Sequence, residues 1–175
     1  MKDLKAFKIP FKGLNLGSHQ FEWKINKSFF ELFDNEDILN CHLHVHLEMD
    51  KTERMFTLDF KITGDLEVEC DRCIDNLVIP TSIHEQYFIK LGHERKEESD
   101  EILIIPENDF EIDVSEIVHD FIILSMPIKK VHGEDNKGNL LCDKETLAIL
   151  NQTTYTNEVD PRWEALKKLK IDNNN

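Results

Sequence analysis

The stretch "CHLHVHLEM", residues 41–49, alternates apolar and polar side chains along most of its length. This period of two is typical of a β-strand with one buried face and one solvated face. The apolar face carries Cys41, Leu43, Val45 and Leu47, and the polar face carries His42, His44 and His46. The stretch therefore predicts a strand that lies on a hydrophobic core.

The three histidines suggest a metal site, but their spacing does not favour one. Neighbours on the same face of a strand lie ~6.5–7 Å apart, so three ligands in a row span too far to converge on one ion. We expect His42, His44 and His46 to form a solvated polar face, and Cys41 to be a small core residue.

Similar runs flank this strand on both sides. Further strands are predicted at 20–26, 54–62, 66–70, 76–91 and 102–106. Gly64 and Asp65 are expected to form a turn, and Pro80 a break or an edge feature. Residues 92–101 are expected to form a charged, mobile loop. Because the connections are short, the sheet is predicted to be mainly antiparallel.

The hydrophobic period becomes helical in "DVSEIVHDFIILSMP", residues 113–127. The apolar stripe comprises Val114, Ile117, Val118, Phe121 and Leu124. Asp113 and Glu116 have the spacing of a capping box, and Pro127 ends the run. We expect the stripe to belong to the core and to lie on the sheet, which gives an α+β architecture.

Two shorter helices are predicted from local capping signals. Residues 28–33 begin with Ser28 followed by Glu31, the spacing of a capping box. Residues 143–150 begin with Asp143, a preferred N-cap residue.

The length of 175 residues favours one domain. We expect a single α+β domain over 1–150, with a mainly antiparallel sheet packed by one principal helix and a hairpin that carries a CxxC motif. A linker over 151–159 and a short C-terminal helix with a disordered tail over 160–175 are expected to follow.

The net charge of −14 is unevenly distributed. Between Glu94 and Asp120 there are eleven acidic and two basic residues, a local charge of −9. Residues 161–170 reverse the sign, with four basic residues and one acidic residue. An acidic body disfavours broad binding to nucleic acid and favours a basic protein partner, although acidity also serves solubility alone.

No stretch approaches the ~18 apolar residues of a membrane helix, and the N-terminus lacks a signal-peptide core. We therefore expect a cytoplasmic protein without membrane contact. Four cysteines in a reducing compartment are expected to be thiols or metal ligands rather than disulfides.

The motif "CDRC", residues 70–73, follows a predicted strand. A structural zinc site needs four nitrogen or sulfur ligands, and Cys70, Cys73, His132 and Cys142 form a reasonable set. Plain thiols are an equally weighted alternative. Redox chemistry is disfavoured because it needs the CxxC at a helix N-terminus. No motif of nucleophilic, phosphate-binding or dinucleotide chemistry is present, so we expect no enzyme and no small-molecule substrate.

Several of these features together resemble the YceD family, the large ribosomal RNA subunit accumulation proteins. The resemblance extends from the "GDLEVECDRCIDNLVIP" segment through the acidic stretch to "IDVSEIVHDFIILSMPIKKVH", and the "DPRWEALKKLK" tail is similar too. The matching residues are Gly64, Cys70, Arg72, Cys73, Ile74, Asp113, Glu116, Pro127 and Lys129. One departure is His132, which stands where the family often has a cysteine; histidine can replace cysteine at zinc.

The resemblance implies a non-enzymatic factor required for normal levels of large-subunit ribosomal RNA. It implies large-subunit ribosomal proteins or a pre-ribosomal particle as partners, and the acidic surface suits a basic ribosomal protein. One alternative is a direct rRNA-binding protein. Its candidate phosphate contacts are Arg72, Lys129, Lys130 and Arg162. A metal- or thiol-dependent enzyme is the other alternative and requires a metal site with an open position or a CxxC of depressed pKa.

Overall fold

The computed structural model describes residues 4–152, in which one long, mainly antiparallel sheet dominates. The strands are β1 Lys8–Ile9, β2 Gly17–Ile25, β3 Ile38–Lys51, β4 Met55–Glu69, β5 Asn76–Gly92, β6 Lys96–Ser99, β7 Ile102–Pro106 and β8 Ile112–Asp113. The α-helices are α1 Lys27–Phe30, α2 Ser115–Ser125 and α3 Lys144–Gln152. Short 3-10 helical turns cover Leu4–Phe7, Phe11–Gly13 and Glu31–Phe33.

Six strands form the main sheet in the order β2-β3-β4-β5-β7-β6. Neighbouring strands are antiparallel except β5 and β7, which run parallel. Helix α2 packs on this sheet through Phe121, whose ring centroid lies 5.5 Å from that of Phe60 and 6.4 Å from that of Tyr87. The predicted α+β class, with a mainly antiparallel sheet and one principal helix, is confirmed.

The central strands β3 and β4 supply much of the core. Their buried side chains include Cys41, Leu43, Val45, Leu47, Met49, Phe56, Leu58, Phe60, Ile62, Leu66 and Val68. The histidines of β3 lie on the opposite face, where His42 and His46 approach the carboxylates of Asp65 and Glu22 at 3.4 and 3.3 Å. The predictions of a polar histidine face and of a core position for Cys41 are confirmed.

Gly64 lies inside β4, so the predicted turn at Gly64 and Asp65 is wrong. Gly64 pairs with Leu43 of the neighbouring strand, and its φ is +143°. A Cβ atom at this position would lie 2.0 Å from the carbonyl oxygen of His42. Glycine is needed here because the neighbouring backbone approaches too closely for any side chain.

Helix α2 turns part of its predicted apolar stripe toward solvent. Ile122 is fully buried, whereas Leu124 is 82% exposed, so the prediction that Leu124 belongs to the core is wrong. The Asp113 carboxylate accepts a hydrogen bond from the Ser115 N–H at 3.0 Å and caps the helix from just outside it. The Glu116 side chain makes no hydrogen bond within residues 4–152, so the predicted capping box is not formed.

The two shorter helices differ in how well their caps were predicted. The Asn26 side chain accepts a hydrogen bond from the Ser28 N–H at 2.9 Å, so Asn26, and not Ser28, caps α1. The Asp143 carboxylate accepts from the Thr146 N–H at 2.7 Å, which confirms the predicted cap of α3.

The outer part of the sheet departs from the predicted loop. Residues 96–99 form β6 and pair with β7, so the loop predicted over 92–101 is partly wrong. Strand β5 runs unbroken through Pro80, and β7 pairs with it only from Phe88 onward. Pro80 therefore lies at a sheet edge, where its missing N–H is tolerated.

The last described helix, α3, continues through Gln152 and so covers the first two residues of the predicted linker. The rest of the linker and the predicted C-terminal helix and tail over 160–175, including Arg162, lie outside the described residues. Within residues 4–152, no helix is long and apolar enough to cross a membrane.

We expect Gly64→Ala to lower the free energy of unfolding by about 3 kcal/mol or more, because its Cβ has no space beside the β3 backbone. The control is Gly133→Ala, since a Cβ there meets nothing within 4 Å. That variant is expected to change stability by less than about 0.5 kcal/mol. Urea denaturation followed by circular dichroism measures both, and equal stabilities for the two variants would contradict this account of Gly64.

Candidate metal centre

The first half of the candidate site is the turn between β4 and β5. The Cys70 N–H donates to the Asp75 carbonyl and the Ile74 N–H donates to the Cys70 carbonyl, both at 2.9 Å. Ile74 has a φ of +65°, a left-handed conformation that costs an L-residue about 1–2 kcal/mol. The tight turn places the side chains of Cys70 and Cys73 on the same side.

The second half is the irregular segment after α2. Asp71 connects this segment to the turn through its backbone and its side chain. The Asp71 N–H donates to the Lys130 carbonyl at 2.7 Å, and the Lys130 N–H donates to the Asp71 carboxylate at 2.6 Å. Farther along, the Leu141 N–H donates to the Gly133 carbonyl at 3.0 Å. This reversal of the chain brings residues 132 and 142 back to the same place.

Four ligand atoms converge where the two halves meet. Those of Cys70, Cys73, His132 and Cys142 all lie within 4.8 Å of one another. The Cys70 and Cys142 sulfurs are 4.0 Å apart, and the Cys73 sulfur lies 3.4 Å from His132 Nδ1. Tetrahedral zinc with ordinary bond lengths separates two sulfurs by ~3.8 Å and a sulfur and a nitrogen by ~3.6 Å. The donor set and its spacing therefore fit zinc.

His132 is held in the tautomer that a metal requires. Its Nε2 lies 3.1 Å from the Asn76 carbonyl oxygen, which can only accept, so Nε2 carries the proton. The Nδ1 lone pair is then free and faces Cys73. A metal-binding histidine commonly donates its other N–H to such a partner, which fixes the orientation of the ring.

The electrostatics of the turn favour a thiolate at Cys70. Burial opposes the charge, but the backbone N–H groups of Arg72, Cys73 and His132 stabilise it and lower the pKa of Cys70 to about 6. Burial raises the pKa of Cys142 and outweighs the hydrogen bond from the Arg72 guanidinium. Because thiolates and not thiols bind metals, Cys70 is prepared as a ligand at neutral pH.

All three cysteines of the cluster are buried, and His132 is half-buried. With four protein ligands, zinc would have no open position for a water or a substrate, which is typical of a structural site. The CxxC joins two strands and does not begin a helix, unlike the thioredoxin-type arrangement.

The basic residues proposed as partner or RNA contacts are placed differently from one another. The Arg72 guanidinium donates to the Cys142 sulfur at 3.6 Å and so belongs to the cluster. Lys129 is exposed and Lys130 is half-buried, both in the segment that approaches the turn. Arg162 lies outside the described residues. Binding of RNA or a partner by these side chains stays a prediction.

Sequence reasoning assigned no positioning role to three residues that hold the ligands in place: Asp71, Ile74 and Asn76. Asp71 stands between the two cysteines, so a carboxylate inside the motif could have indicated a hydrogen bond to another segment of the chain. The left-handed Ile74 and the carbonyl of Asn76 have no residue-type signature, because any residue offers a carbonyl and an isoleucine rarely adopts this conformation.

Comparisons with known proteins agree with the resemblance seen in the sequence. The chain belongs to the family described as Large ribosomal RNA subunit accumulation protein YceD, which matches residues 58–170 and so includes all four cluster ligands. It is also similar to the "Uncharacterized protein YlbN" of Bacillus subtilis (strain 168), with 27% identity over 121 residues, 69% of each chain. No solved structure matches it.

We expect the purified protein to hold one zinc ion per chain, and His132→Cys to retain it because a fourth sulfur replaces the nitrogen. His132→Ala is expected to weaken zinc binding by more than about a hundredfold, which exceeds the usual effect of losing an outer-shell partner. Metal analysis and chelator competition measure both variants. Unchanged affinity in His132→Ala would exclude His132 as a ligand.

In the metal-free protein, the ultraviolet absorbance of thiolate is expected to rise with an inflection near pH 6, because of the lowered pKa of Cys70. The unfolded thiol titrates near ~8.5, so stability should fall as the pH drops from about 8.5 toward 6. Cys70→Ser should remove the inflection. Cys41→Ala should leave it, since burial raises the pKa of Cys41 to about 11. A first inflection near ~8.5 would contradict this electrostatic account.

Proposed function

We propose that this protein is a non-enzymatic factor that supports accumulation of large-subunit ribosomal RNA and ribosome assembly by binding a basic ribosomal protein or a pre-ribosomal particle. The family description supplies the ribosomal context. The observation that carries the proposal is the convergence of four ligands, which leaves no open position on a metal. Such a site is better suited to stabilising a protein that works by binding than to catalysing a reaction.

In this proposal, the cluster holds one structural Zn²⁺, whose binding contributes folding free energy to the segment after α2. Between Met126 and Asp143, Cys142 is the one buried residue, so this segment has little hydrophobic support of its own. A metal that links this segment to the β4–β5 turn would order it with only four ligand residues. Arg72 would offset part of the negative charge of three thiolates.

The acidic stretch supplies the attraction to a basic partner. The stretch from Glu94 to Asp120 has eleven acidic and two basic residues, and it spans β6, β8 and the first half of α2. Most of these side chains are exposed. A surface of this charge steers a basic ribosomal protein toward it and repels bare RNA.

Direct rRNA binding is the second candidate, because the exposed Lys129 lies in the segment that borders the cluster. Its weakness is Arg72, which donates to Cys142 and is therefore partly occupied. A metal- or thiol-dependent enzyme is the less favoured alternative. The lowered pKa of Cys70, about 6, is a feature that a reactive CxxC needs. Against it, the four converging side chains would leave a bound metal no open position.

We expect tagged full-length protein, purified by affinity from growing cells of its natural host at near-physiological salt, to enrich large-subunit ribosomal proteins. Direct protein contact predicts that the enrichment survives nuclease treatment. Cys142→Ser should reduce it, because the segment around the cluster loses its anchor. Cys41→Ala, a buried cysteine outside the cluster, serves as the control.

Loss of the ribosomal proteins after nuclease treatment would favour the rRNA-binding alternative. Recovery of no large-subunit protein and no large-subunit rRNA would contradict the proposed function. Mass spectrometry and RNA sequencing of the same eluate provide both readouts.

A further inference from the structure

A groove lies between helix α2 and the outer strands of the sheet, away from the cysteine cluster. Its cavity has a volume of about 330 Å³. The apolar lining comes from Tyr87, Leu103, Ile117, Phe121 and Leu124. Four of these side chains are half-buried, and Leu124 is 82% exposed at the rim. The groove therefore offers a hydrophobic floor that remains open to solvent.

The rim of the groove is strongly acidic. Its charged lining consists of Glu97, Asp100, Asp113, Glu116, Asp120 and Arg95. Five carboxylates and one guanidinium give a net charge of −4. The acids come from β6, β8, α2 and the connection after β6, so the tertiary fold, and not one run of sequence, brings them together.

Three of these carboxylates have no partner of their own. The side chains of Glu97, Asp100 and Glu116 make neither a hydrogen bond nor an ion pair within the described part of the chain, and all three are exposed. By contrast, Asp113 accepts from Ser115, and Asp120 accepts from His119. Free carboxylates around an apolar floor provide ion-pair acceptors without first breaking internal contacts.

The negative potential also acts inside the groove. Burial raises the pKa of Tyr87, and the nearby carboxylates of Glu97 and Asp120 raise it further, against the opposing effect of Arg95. The acids thus outweigh the one base at the floor of the groove. A cation placed there would gain from the carboxylates and from the nearby aromatic rings of Tyr87 and Phe121.

We propose that this groove binds a short segment of a partner protein in which basic and apolar residues are interspersed. The inference rests on the proposed function and deepens it, because it names the place where a basic ribosomal protein would dock. Apolar side chains of the segment would cover Leu124 and Phe121, and its lysines or arginines would pair with Glu97, Asp100 and Glu116. RNA is disfavoured as the occupant because its phosphates would face five carboxylates.

The test measures binding of a fluorescein-labelled peptide of alternating lysine and leucine by fluorescence anisotropy with the full-length, metal-loaded protein. The combined variant Glu97→Gln, Asp100→Asn and Glu116→Gln should weaken the Kd about tenfold, as expected for three exposed ion pairs. Leu124→Ser should weaken it about threefold through lost apolar contact. A peptide with glutamate in place of each lysine should not bind.

The matched control is the combined variant Glu36→Gln, Asp50→Asn and Glu53→Gln. These three residues are exposed, lie outside the groove, and carry the same chemical changes and the same change in net charge. The control should change the Kd less than about twofold. Equal weakening by both combined variants would overturn the groove, since net charge alone would then explain binding. Tighter binding of single-stranded polyuridine than of the peptide would also overturn it.

The inference and the proposed function can fail separately. If the groove variant loses the peptide and also loses large-subunit proteins in the affinity purification, both are supported. If peptide binding does not depend on the groove while large-subunit proteins are still recovered with the wild-type chain, the inference is overturned and the proposed function is kept.

Discussion

The contact between the β4–β5 turn and the segment after α2 orders a part of this protein that the core of the sheet does not stabilise. The strands and α2 share one hydrophobic core, but the three clustered cysteines form a second, smaller buried group with Leu77, Val131 and Leu147. That group is too small to order an irregular segment by hydrophobic burial alone. Backbone hydrogen bonds hold part of the segment, and a metal ion bound by the four converging ligands would order the rest.

In the proposed function, the candidate metal centre and the acidic groove have separate roles. The first would fix the chain near one end of β4 and β5, and the second lies where β6, β7 and α2 meet. For the proposed binding role, the protein needs a stable frame and a surface whose charge and shape fit a basic partner.

Much of the fold could be predicted from the hydrophobic period, because a strand with one buried face has alternating apolar and polar residues. The turn predicted at Gly64 was wrong because glycine is typical both of turns and of close strand contacts, and only the neighbouring backbone distinguishes them. Strand β6 could not be predicted because its four residues are all exposed. The cluster's ligands were predictable from residue type, whereas the Asn76 carbonyl and the inward-turned Arg72 were not, because tertiary structure alone selects them.

X-ray absorption spectroscopy at the zinc edge of the protein purified from its natural host tests the central claim, a closed structural metal centre, most directly. The account predicts three sulfur ligands at about 2.3 Å and one nitrogen at about 2.0–2.1 Å. It also predicts a spectrum that small anionic ligands do not change, since no coordination position is open. An oxygen ligand in the first shell, or a spectrum altered by added anions, would reveal an open site and contradict the non-enzymatic account.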